Sequence, residues 1–174
     1  MPYGPTSGIA DPLFGEIHVR VDPGAGRVEV GGPAVPPVVV RRTRGAGRRS
    51  RTAVGTRRAG RLAMTVDGED VRVVPGRGWG LRRCHGVRVV HRGSRYRLTP
   101  GYLPRGRSRL TRDGRRLGRF RSDGRAAPAE WSGGAPVTAR DAAVGYALAA
   151  AFGRRRKSWL WDAAEVVLDG LSSG

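Results

Sequence analysis

With 174 residues, 28 Gly, 12 Pro and a formal net charge of +19, the chain is expected to form one modest β-rich domain whose core is mainly Val and Leu. Cys84 is the only cysteine and excludes an intrachain disulfide, the longest apolar run (Ala142 to Phe152) falls short of the about 20 residues a bilayer requires, and no basic-then-apolar leader opens the chain, so a cytoplasmic protein with no transmembrane segment is expected. The charge is regional: residues 41–125 hold 26 Arg against five acids, whereas residues 1–40 sum to −2 and residues 126–174 to zero, which points to a polyanionic partner.

Residues 1–15, rich in Pro and Gly, read as a flexible N-terminal lead-in to a single domain over 16–174. From Glu16 a period of two sets in: Ile17, Val19 and Val21 alternate with His18 and Arg20, and Val28 and Val30 alternate with Arg27 and Glu29 across the turn-forming Asp22-Pro23-Gly24-Ala25-Gly26. Val38 to Val40 form a third, more buried strand. Residues 41–61 then carry nine Arg, no acid and only Val54 as a sizeable apolar side chain, so a mobile basic loop is expected there.

Strand patterning resumes at Leu62, Met64 and Val66, turns at Asp67-Gly68-Glu69 and returns through Val71 and Val73. Val87 and Val89 lead through Arg92-Gly93-Ser94 to Tyr96 and Leu98, and a last pair flanks Asp113-Gly114, a type I′ hairpin signal. In that pair Leu117 and Phe120 fall on opposite faces, which predicts a bulge or a peripheral strand. Past Trp131 the period becomes helical. Thr138 and Asp141 make a capping box, Val144, Leu148 and Phe152 recur on one face and Gly153 stops the run, giving a helix over about 139–152; Ser158 opens a second over about 159–169. Strands first and helices last make an α+β fold: a mostly antiparallel sheet of about 7–9 short strands, barrel or sandwich, followed by two C-terminal helices. A β-rich body followed by an Ala-rich apolar helix around Asp141 to Phe152 resembles the tubby-like and LURP-one-like families. The resemblance implies a barrel closed around that helix; the second helix departs from the pattern.

Candidate chemistry is sparse. Cys84, His85 and His91 are the soft metal ligands nearest one another, but Arg82, Arg83, Arg88 and Arg92 crowd the segment and repel a cation, so neither metal nor cofactor is expected. Gly76-Arg77-Gly78-Trp79-Gly80 lacks the third Gly of a dinucleotide fingerprint, and Gly45-Ala46-Gly47-Arg48-Arg49-Ser50 lacks the ending of a P-loop. No nucleophile elbow is present, and a non-enzymatic role is expected. One Lys, two Ile and no Asn or Gln point to a GC-rich genome, which accounts for Arg in place of Lys but not for the sign of the charge.

The arginines are the informative residues. If Val87, Val89, Tyr96, Leu98 and Leu110 face a core, then Arg88, Arg95, Arg97 and Arg109 project from the opposite face of neighbouring strands as a basic platform. Arg41, Arg42, Arg44, Arg48, Arg49, Arg51, Arg57 and Arg58 of the loop add charge, while Trp79 and Tyr102 are placed to stack on bases. The expected function is a nucleic-acid-binding module for RNA or single strands. An anionic membrane surface or an acidic protein partner is the alternative.

Overall fold

The computed structural model describes residues 6–43, 52–76, 86–101, 107–121 and 127–153. Eleven antiparallel strands follow one another as a meander, each bonded to its neighbours in sequence: β1 (Thr6–Asp11), β2 (Gly15–Asp22), β3 (Arg27–Gly32), β4 (Val35–Arg42), β5 (Leu62–Val66), β6 (Glu69–Pro75), β7 (Val87–His91), β8 (Ser94–Thr99), β9 (Arg107–Arg112), β10 (Arg115–Arg121) and β11 (Glu130–Trp131). The helix α1 (Ala139–Phe152) closes the described chain.

Alternation fixes which face is which. Ile17, Val19, Val28, Val30, Val38, Val40, Met64, Val66, Val87, Val89, Tyr96 and Leu98 are all buried on the inner face, while their sequence neighbours point outward. Three hairpins turn on Asp67-Gly68, Arg92-Gly93 and Asp113-Gly114, each with both residues at positive φ as a type I′ turn demands. The strand twist is thereby set by local chemistry. In β10 the register shifts between Arg116 and Gly118, so Leu117 and Phe120 both reach the core despite their odd spacing.

The helix begins at a complete capping box: Thr138 Oγ1 accepts from the Asp141 amide (3.3 Å) and Asp141 Oδ2 accepts from the Thr138 amide (2.8 Å). Beyond it, Ala142 to Ala149 are all buried, as are Ala151 and Phe152. A helix apolar on all sides belongs inside, and this one touches strands from both halves of the sheet, including β2, β3, β4, β8, β9 and β10. The sheet therefore wraps around it. The two ends of the sheet meet through side chains, since Trp131 of β11 donates from Nε1 to Asp11 of β1 (3.1 Å) and stacks edge-on against Phe14.

Four expectations need correction. Among the described residues the sheet has eleven strands rather than 7–9. The lead-in is loose only in composition, because residues 6–11 pair along their whole length with β2 and Ile9 is buried. The basic loop begins later than residue 41: Arg41 and Arg42 belong to β4, and Thr52 to Thr56 are buried, with Val54 fully so. Residues 44–51 lie outside the described residues. The helix buries its whole circumference rather than a stripe, because its many Ala and Gly145 leave room for strands on every side. The segment 159–169, read as a second helix, lies outside the described residues.

Candidate anion-binding face

The outward faces of β6, β7, β8 and β9 form an open groove of about 710 Å³ bordered by Arg72, Arg88, Arg95, Arg97 and Arg109. Their convergence follows from sequence period and pairing register. Each lies between two inward residues of its strand, and the register sets Arg88 directly opposite Arg97 and Val90 between Arg72 and Arg95. Arg109 sits opposite Thr99, one diagonal step from Arg97. Val74 and Val90 supply an apolar floor; Val90 is 54 % exposed.

All four sheet arginines expected to form a platform, Arg88, Arg95, Arg97 and Arg109, thus share one groove. Arg72 was missed, although Val71-Arg72-Val73 carries the same alternation that identified Arg88.

The described lining of the groove is one-signed. Among the described residues, no carboxylate borders the groove and no ion pair involves Arg72, Arg88, Arg95, Arg97 or Arg109. The Arg97 Nε is shielded from solvent and has no hydrogen-bond partner among the described residues. Like charges directly opposite across an antiparallel pair are unfavourable, so the Arg88–Arg97 pairing costs the protein stability.

Several described acids elsewhere are already engaged. Glu69 holds Arg92 (Nε to Oε2, 3.0 Å) and the buried His91 (Nε2 to Oε2, 2.9 Å). The hydrogen bond from Arg92, followed by that with His91, brings the Glu69 carboxyl down to about 2. Glu130 pairs with Arg107, and the wholly buried Asp141 accepts from Tyr96 Oη (2.9 Å) and Arg112 Nη1 (2.5 Å). His91 therefore serves a carboxylate at a hairpin; Cys84 and His85 lie outside the described residues.

The other candidate arginines divide. Arg41 and Arg58 are exposed, but away from the groove. Arg42 and Arg57, both half-buried, donate to main-chain carbonyls. Arg42 donates to Gly24 O (2.9 Å) and Val54 O (3.3 Å), tying the start of the ordered 52–56 segment to the β2–β3 turn. Arg57 reaches Gly76 O and Phe152 O, both at 3.5 Å, placing its charge at the C-terminal end of α1, where carbonyls lack intrahelical partners. Arg44, Arg48, Arg49, Arg51, Trp79 and Tyr102 lie outside the described residues. Among the described residues, Tyr96 is the aromatic that borders the groove, and its ring is 2 % exposed with the hydroxyl bound inward to Asp141. Base stacking on the described part of this face would fall to the planar guanidinium groups.

Comparison of the chain with protein-family models, with curated protein sequences and with solved structures finds no match.

Proposed function

We propose that this protein is a nucleic-acid-binding module that grips the phosphate backbone of RNA or single strands on the outer face of β6–β9. The observation that carries this reading is the meeting of five arginines on one groove with no carboxylate among its described lining. Planar guanidinium groups hold phosphate oxygens with two parallel bonds each. A groove admits a thread of phosphates, whereas a flat bilayer meets a convex surface more readily; this favours nucleic acid over lipid. The helix α1 is buried and cannot enter a duplex groove, which favours single strands or RNA over helix-mediated reading of DNA.

Contacts to phosphate carry no base identity, so binding is electrostatic and weakly selective in sequence. The test is fluorescence anisotropy of a labelled single-stranded RNA titrated with the protein at 50 and 200 mM salt. Wild-type affinity should fall steeply across that range. The double variant Arg88→Gln/Arg97→Gln should weaken binding at least tenfold at 50 mM salt without lowering the melting temperature, because it removes a like-charge pair rather than a stabilising one. Salt-independent affinity would overturn the reading. Binding to vesicles containing anionic lipid, without binding to RNA, would assign the face to a membrane surface.

A further inference from the structure

The pairing register carries the basic face beyond the groove. Arg88 of β7 lies opposite Arg97 of β8, Arg97 lies diagonal to Arg109 of β9, and Arg109 lies directly opposite Arg119 of β10. Arg119 is exposed and, among the described residues, its side chain has neither hydrogen bond nor ion pair. Four arginines on four consecutive strands therefore form one line across the sheet. At about 4.8 Å between neighbouring strands, it covers about 14 Å.

The line has defined limits. Beyond Arg119 the register meets Glu130 of β11, a carboxylate that repels phosphate and already holds Arg107. At the other end Arg88 faces Val74 of β6, so positive charge gives way to an apolar side chain. Two like-charged pairs, Arg88–Arg97 and Arg109–Arg119, lie within the line, each opposed across a strand pair. Sheets ordinarily avoid such pairs. Their repetition along one direction matches a ligand whose negative charges repeat along a chain.

We propose that a single-stranded nucleic acid crosses the sheet roughly perpendicular to the strands, one phosphate for each of Arg88, Arg97, Arg109 and Arg119. This rests on the nucleic-acid reading above and adds the path, its length and a contact outside the groove. A backbone lying along β8 instead would meet Arg95 and Arg97 and never reach Arg119.

The salt dependence of affinity distinguishes these paths, because each phosphate contact on a single strand contributes about 0.7 to the slope of log K against log salt. The experiment measures that slope for an oligouridylate ten nucleotides long with wild-type protein and with Arg88→Gln, Arg119→Gln, Arg119→Lys and Arg115→Gln. Arg115 lies on the same strand as Arg119, is exposed, and stands at the hairpin end off the line. The expected result is a slope shallower by about 0.7 for Arg88→Gln and Arg119→Gln alike, with Arg119→Lys and Arg115→Gln matching wild type. A wild-type slope in Arg119→Gln beside a shallower one in Arg88→Gln would overturn the path while leaving the groove as the binding face. Equal loss in Arg115→Gln would replace the line by diffuse charge. Failure of wild type to bind the oligonucleotide at 50 mM salt would sink the nucleic-acid reading itself.

Discussion

Two tyrosines tie the helix to the sheet, each through a buried carboxylate. Tyr96 of β8 donates to Asp141 at the first turn of α1, and Tyr146 of α1 donates to Asp11 of β1 (2.6 Å) while accepting from the Ala129 amide (2.8 Å). Burial first, and then the adjacent carboxylates, push both phenols well above the ordinary tyrosine range. An unfolded tyrosine ionises near pH 10, so above about pH 10 the unfolded chain releases protons that the folded chain retains. Stability contributed by these two groups is therefore full below about pH 10 and declines as pH rises beyond it. Urea midpoints measured between pH 8 and 11 should be flat at first and then fall. In Tyr96→Phe/Tyr146→Phe the alkaline decline should be shallower, on a lower baseline.

At the scale of elements, α1 is the piece on which the sheet depends, and Gly145 is where the approach is tightest. A Cβ built there meets the Phe120 ring well inside van der Waals contact and the Leu110 Cδ2 at 2.9 Å. Phe120 cannot swing away freely, since its ring packs edge-on against Trp131 (5.4 Å between centroids) and Tyr146 (5.0 Å). Gly145→Ala improves intrinsic helix propensity by about 1 kcal/mol, yet overpacking a closed core costs about 1–3 kcal/mol. The predicted net effect is a loss of stability, read as a lower urea midpoint with an unchanged slope. A rise in midpoint would mean that β9 and β10 yield to the helix. The helix was legible in the sequence by its capping box, its period and Gly153. Its enclosure was not, because Ala at nearly every remaining position is compatible with solvent as well as with a close-packed interior.

Across the whole molecule, Asp11 joins parts of the chain that are far apart in sequence. Its carboxylate accepts from the Leu13 and Phe14 amides in the β1–β2 turn, from Trp131 of β11 and from Tyr146 of α1. The first strand, the last strand and the helix thus share one acceptor. A buried donor left without a partner costs about 1–3 kcal/mol. Asp11→Ala is predicted to lower stability by several times the effect of an ordinary surface substitution, about 0.5 kcal/mol. It should also raise hydrogen exchange at β1 and β11 before the central strands, as expected when the joint between the sheet's ends opens. Exchange rising evenly through the sheet would show that Asp11 supports the fold without closing it.

The sequence alone determined what depends on neighbours a few residues apart. Inward and outward positions of β2 through β9 follow from alternation, the Asp67-Gly68 and Asp113-Gly114 turns from residues that tolerate positive φ, and the start of α1 from Thr138 and Asp141. The same alternation placed Arg88, Arg95, Arg97 and Arg109 on one outer face. Tertiary structure decided the rest. The strand over residues 6–11 owes its place to pairing with β2 rather than to propensity, since Ile9 is its only large apolar side chain. Arg42 and Arg57 resemble their loop neighbours in sequence but donate to carbonyls of Gly24, Val54, Gly76 and Phe152. The joining of Arg88, Arg97, Arg109 and Arg119 into one line across four strands required the pairing register, which hairpin turns transmit from strand to strand and which residue spacing along a single strand cannot supply.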